Sequence, residues 1–142
     1  MFDVLEHIED EARALRMVSQ KLRPGGRIVL SVPAYMWRWG DHDAVNQHFR
    51  RYTLRELRWK LQAANFTVER ATYFNTFLFP PIAAVRLLAR YGRRPDNEEG
   101  DFAHARNPSN PVLRSMFSAE RVFLRYIDFP FGVSVFAAAR KN

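Results

Sequence analysis

Leu22-Arg23-Pro24-Gly25-Gly26-Arg27-Ile28-Val29-Leu30-Ser31-Val32-Pro33 is the stretch from which the fold is read. Pro24-Gly25-Gly26 stops a helix and reverses the chain: proline lacks the amide proton a helix interior needs, and glycine accepts the left-handed turn that follows. Arg27 to Val32 is short, mostly apolar and rich in branched side chains, which predicts a strand buried on both faces. Pro33 ends it. A strand of this kind needs helices packed on its sheet, so the fold class is α/β.

Upstream, Glu6 to Leu22 predicts a helix, with Leu5, Ile8, Ala12, Leu15, Val18 and Leu22 recurring every three or four positions. Asp3 is placed to cap its start, and Glu6, Glu9 and Asp10 suit the positive end of the helix dipole. Downstream, Ala34 to Tyr52 is dense in polar and aromatic side chains, as expected of a ligand-binding loop after a parallel strand. Thr53-Leu54-Arg55-Glu56 reads as a capping box, opening a helix to about Ala64 with Leu54, Leu57, Leu61 and Ala64 on one face. Asn65 tolerates the left-handed conformation that ends such a helix. Phe66 to Tyr73 predicts a strand with Phe66, Val68 and Ala71 inward. Further helices are expected over Phe77 to Tyr91 and Pro111 to Ile127, separated by a polar, mobile loop at about 92–110. Phe131 to Ala139 predicts a final strand.

A chain of 142 residues is normally one domain. The absence of cysteine excludes disulfides and thiolate metal sites and fits a reducing compartment. Acidic residues Asp3, Glu6, Glu9 and Asp10 break any signal-peptide pattern, and no run reaches the roughly 18 apolar residues that span a bilayer. The expected location is cytoplasmic, with a peripheral membrane contact as the variant. The net charge of +7 is open to two readings, an anionic partner or a balance struck by sequence outside this stretch.

The motifs together resemble the second half of a class I S-adenosylmethionine-dependent methyltransferase. The resemblance rests on Asp3, Leu5-Glu6-His7, Leu22-Arg23-Pro24-Gly25-Gly26, His42-Asp43, His48-Phe49-Arg50-Arg51-Tyr52-Thr53, Tyr73-Phe74-Asn75 and Phe131-Gly132-Val133-Ser134. It implies the C-terminal part of a Rossmann-like fold, with residues 1–142 as one partial domain. Arg27 to Val32 would be family strand 5, Phe66 to Tyr73 strand 6 and Phe131 to Ala139 strand 7. Strand 7 would be antiparallel and central in the order 5-7-6, with a helical insertion at about 77–127. Strand 4 would be reduced to its last residues, leaving the 27–32 strand with an unpaired side open to self-association. The glycine-rich cofactor loop of the family lies upstream of strand 4 and has no counterpart in these residues.

The same resemblance implies S-adenosylmethionine as cofactor, approached by Asp3, Val4 and Leu5; Asp3 as a helix cap only is the plainer reading. His42, Asp43 and His48 are candidates for the general base that takes the acceptor's proton, or for holding their loop in place. Tyr35, Trp37, Arg50, Arg51 and Tyr52 are candidates for binding the acceptor, the arginines gripping an acidic group or standing in solvent. Some relatives hold a divalent ion with a comparable set, which would here be Asp3, Glu6, His7 and His48. The function expected of the intact protein is methyl transfer to an oxygen of a small-molecule or lipid-linked acceptor, the 142 residues alone being inactive. The alternative from a different class is a non-catalytic module that binds a membrane or nucleic acid through basic helices, with nucleic acid the less expected partner.

Overall fold

A computed structural model describes residues 1–38, 46–80, 83–84 and 111–142. Its centre is a three-stranded sheet of β1 (Arg27–Pro33), β2 (Phe66–Phe74) and β3 (Ser134–Lys141). The spatial order is β1-β3-β2, and β3 runs antiparallel to both neighbours. This is the order and direction expected from the sequence. Ala137 sits opposite Leu30 on one side and Ala71 on the other, so the centre of the sheet is built on a small side chain.

One face of the sheet carries the core: Ile28, Leu30 and Val32 from β1, Val135, Ala137 and Ala139 from β3, and Phe66, Ala71 and Tyr73 from β2. Leu15, Leu57 and Leu61 of the flanking helices complete it. The inward positions of β2 change parity between Val68 and Ala71 because the register slips between Val68 and Arg70. A bulge inserts one residue, which returns Ala71 and Tyr73 to the core side. Glu69, at the bulge, faces solvent and bonds Arg27 at 2.8 and 3.0 Å.

The first helix, α1 (Glu11–Lys21), starts later than its periodicity suggests. Leu5–His7 is a separate 3-10 turn, and Ile8 is extended with φ −102° and ψ 120°. Asp3 therefore does not cap the helix; Asp10 does, accepting from the Arg13 amide at 2.9 Å. The cause is tertiary: the Glu6 carbonyl accepts the Phe49 amide at 2.7 Å, which takes it out of the helical ladder. The second helix, α2 (Leu54–Ala63), begins as expected, with both arms of the capping box present. It stops at Asn65, whose φ is +68°. The third, α3 (Pro111–Phe123), ends four residues before the expected Ile127, and β3 begins at Ser134 rather than Phe131. Of the expected 77–91 helix, 79–80 and 83–84 are helical, and the expected mobile loop at 92–110 lies outside the described residues.

The outer edge of β1 is covered in part. Phe2 forms a parallel bridge with Ser31, whose amide donates to the Met1 carbonyl at 3.0 Å and whose carbonyl accepts from the Asp3 amide at 3.1 Å. The open stretch is thus shorter than the whole 27–32 run.

Two substitutions test this account. Thr53→Ala removes one arm of the capping box and is expected to lower stability by about 1 kcal/mol. At Gly132 a Cβ would stand 2.4 Å from the Phe74 carbonyl oxygen. Gly132→Ala should therefore be the more damaging, by about 2 kcal/mol or more. Urea denaturation that ranks the two in the opposite order would contradict the packing described at the start of β3.

Candidate active site at the carboxyl edge of the sheet

Because β3 is antiparallel to both neighbours, β1 and β2 run parallel to each other and end at the same edge. The Phe2 bridge to Ser31 is also parallel, so residues 1–2 end there too. All three exits pass through a left-handed residue: Asp3 (φ 49°), Tyr35 (φ 60°) and Asn75 (φ 58°). Asp and Asn take that conformation readily, whereas Tyr35 carries strain of order 1 kcal/mol or more. The carboxyl edge of parallel strands is where open α/β sheets bind ligands.

Three of the expected chemical residues meet at this edge. Glu6, His7 and His48 each offer a ligand atom, and these atoms lie within 4.8 Å of one another. The imidazoles of His7 and His48 meet edge to face with centroids 4.7 Å apart. Glu6 is buried at 1% exposure, and its Oε2 has no hydrogen-bond partner among the described residues. Burial pushes its carboxyl above the ordinary carboxylate range, and the charge of Asp3 adds to the rise, while His48 and His7 oppose it. Asp3 itself stands outside the triad. Its Oδ1 accepts from the Ser31 hydroxyl at 3.2 Å.

The basic residues of the following loop turn inward. Arg50 binds the Glu11 carboxylate and donates to the Glu9 carbonyl at 2.6 Å. Glu11 is buried at 5% exposure, and its other oxygen pairs with Lys60 of α2. Arg51 is buried, reaching the Ala34 carbonyl at 3.4 Å. Tyr52 is fully buried, and its backbone bridges Ala34, with its amide donating to the Pro33 carbonyl at 2.9 Å. Desolvation drives its phenol well above the usual range, so Tyr52 stays protonated as part of the core. Val4 is exposed and Leu5 buried. His42 and Asp43 lie outside the described residues.

Tyr35 and Trp37 form an aromatic group with partners from later in the chain. Tyr35 stacks on Tyr73 with centroids 5.2 Å apart and planes at 12°. Phe79 contacts Tyr35, Trp37 and Phe131 at 5.5, 6.0 and 5.5 Å. Trp37, Met36 and Phe131 remain substantially exposed. Sequence reasoning missed Glu11, Phe79 and Phe131 as site residues. Glu11 had a signal, an acid on the face that Leu15 buries. The aromatics had none beyond composition. A cavity of about 480 Å³ opens on the sheet's other face, lined by Phe2, Asp3, Ser31, Arg70, Thr72, Phe74, Leu124 and Phe136. It borders Asp3 but not the triad.

An α/β sheet with this order and a chemical cluster at its carboxyl edge defines a Rossmann-like, class I methyltransferase type of domain. The methyltransferase domain family matches residues 1–71, half of the 142, and the chain belongs to that family. Among solved structures, the chain is similar to an S-adenosylmethionine-dependent methyltransferase from Mesorhizobium loti, at 16% identity and TM-score 0.52, with 99% of this chain and 59% of that one covered. It is similar to phosphoethanolamine N-methyltransferase 2 of Haemonchus contortus bound to S-adenosyl-L-methionine, at 16% identity and TM-score 0.50, covering 99% of this chain and 32% of that one. It is also similar to the complex of the Haloferax volcanii Trm112 methyltransferase activator with a putative methyltransferase, at 13% identity and TM-score 0.50, covering 98% and 51%. At such identities the likeness is one of fold, and the chain spans about a third to three fifths of those structures. No curated protein matches.

The buried Glu6 generates a test of the site. With its folded-state pKa raised by burial above the ordinary carboxylate value, Glu6 destabilises the folded protein once it ionises. The penalty is absent below the unfolded-state pKa and complete above the folded-state one. In excess chelator, Glu6→Gln is therefore expected to melt at a higher temperature than wild type at pH 7–8. The gap should close as the pH falls below the ordinary carboxylate range. A variant that melts lower than wild type at every pH would show that Glu6 is paired in solution.

Proposed function

We propose that this chain forms the acceptor-binding part of an S-adenosylmethionine-dependent methyltransferase acting on an oxygen of a small-molecule or lipid-linked acceptor. The observation that carries the reading is the Glu6–His7–His48 cluster at the carboxyl edge, with a buried carboxylate oxygen left unbonded among the described residues. Asp3, Val4 and Leu5 are proposed to border the cofactor. The aromatic surface of half-buried Tyr35 and exposed Trp37 is proposed to hold the acceptor, with Arg50, Arg51 and Tyr52 supporting the loop from within.

Bound beside Asp3, Val4 and Leu5, S-adenosylmethionine would supply its methyl group in line to an acceptor oxygen, the carbon–sulfur bond breaking with its electron pair left on sulfur. The acceptor proton passes to a base, for which His42, Asp43 and His48 are proposed. The strain at Tyr35 fits this reading, since it turns the ring onto Tyr73 at the edge of the site. A divalent ion fits the donor set: two imidazoles and one carboxylate oxygen that has no partner among the described residues suit zinc, manganese or magnesium. Glu6, His7 and His48 would hold it, with Asp3 outside the first shell. When bound it would lower the pKa of an acceptor hydroxyl. Tight cofactor binding is assigned to a glycine-rich loop, a motif absent from these residues, so residues 1–142 alone are expected to be inactive.

Calorimetry with Mn²⁺ and Zn²⁺ tests the cluster. One site is expected, weakened at least about tenfold by Glu6→Gln or His48→Ala. No binding at millimolar ion would remove the metal. S-adenosylmethionine should bind the 142 residues with a Kd of about 1 mM or weaker. Micromolar binding would overturn the division of roles between this chain and a glycine-rich loop.

A second reading rests on α3 and the turn that follows it. Phe117, Val122, Phe123, Tyr126 and Ile127 are exposed beside the exposed Arg121 and Arg125. That pattern suits contact with an anionic membrane surface and would bring a lipid-linked acceptor to the site. No helix among the described residues is long and apolar enough to cross a membrane. Cosedimentation with anionic but not neutral vesicles is the expected result, and equal recovery with both would remove the reading. Self-association through the open part of β1 is proposed as well. Light scattering showing only monomer at tens of micromolar, about the range where exposed edges aggregate, would exclude it.

A further inference from the structure

His48 lies far from Glu6 and His7 in sequence, so something must hold its loop against them. Two anchors do so. The Phe49 amide donates to the Glu6 carbonyl at 2.7 Å. One residue on, the Arg50 guanidinium reaches Glu11 and the Glu9 carbonyl. A single backbone bond is a hinge; a second attachment beside it makes a clamp. The second attachment depends on Glu11, which is buried at 5% exposure and whose other oxygen pairs with Lys60 of α2. Breaking a buried pair leaves an uncompensated charge, so the arrangement is held strongly in place. Glu11 is not one of the three residues of the triad.

From this we infer that Glu11 is a positioning residue. Acting through Arg50, it locks the 48–50 segment so that the His48 ring stands against His7 and Glu6. The inference rests on the triad being the functional cluster, but the placement of His48 is measurable without any ligand. Arg50 on this account works inside the protein, setting the geometry of the site rather than gripping the acceptor.

The test is NMR of the 142-residue protein with labelled histidine, alongside Mn²⁺ titration. Wild type should show a nuclear Overhauser effect between the His7 and His48 rings. Glu11→Gln keeps the size of the side chain and removes its charge. It should abolish that effect, shift the His48 imidazole signals, and weaken Mn²⁺ binding by about tenfold or more, as loss of an outer partner does. Arg50→Gln should reproduce all three changes and decides the matter if Glu11→Gln does not fold. Lys60→Met, which removes the other partner of Glu11, should leave the His48 signals in place even though it lowers stability. The inference is overturned if the ring contact survives in both Glu11→Gln and Arg50→Gln, if Lys60→Met moves His48 as far as they do, or if wild type lacks the contact. If wild type binds no Mn²⁺, the metal reading fails, and the ring contact still decides the role of Glu11.

Discussion

The antiparallel insertion of β3 between β1 and β2 is the constraint on which the rest of the structure depends. A strand in that position is hydrogen-bonded on both sides, and its inward side chains lie under helices. Val135, Ala137 and Ala139 meet this demand by being fully buried and small or branched. Their size leaves room for Leu57 and Leu61 of α2 and Leu15 of α1 in the same layer. At the start of the strand, Gly132 lets the chain pass the Phe74 carbonyl at a separation no side chain would permit.

That insertion also creates the site. With β3 reversed, the neighbours on either side end at one edge, and each exit is turned by a left-handed residue. The loop leaving β1 returns to pair Tyr52 with Ala34, which carries residues 48–51 across the start of α1. The chemistry of the edge follows from this return. Glu6 and His7 come from one part of the chain and His48 from another, and the aromatic group draws on four separate segments. Two buried acids, Glu6 and Glu11, behave differently for a simple reason. Glu11 is paired with two cations; Glu6 has an oxygen with no donor among the described residues, and burial acts against its ionised form.

Sequence alone determined the elements whose signals are local. The Pro24-Gly25-Gly26 reversal, the Thr53–Glu56 capping box, the stop at Asn65 and the three strands depend on residues within a few positions of one another, and the structure has them all. The strand order followed from the family resemblance carried by those same motifs. Three matters were decided only by tertiary contacts. The start of α1 moved to Glu11 because a distant amide at Phe49 takes the Glu6 carbonyl. Asp3 was separated from the triad because the Ser31 hydroxyl binds it. Arg50 and Tyr52, polar on paper, turned into the protein because Glu11 and the core were there to receive them. A side chain's direction is set by what lies across the fold from it, and periodicity and capping signals carry no record of that.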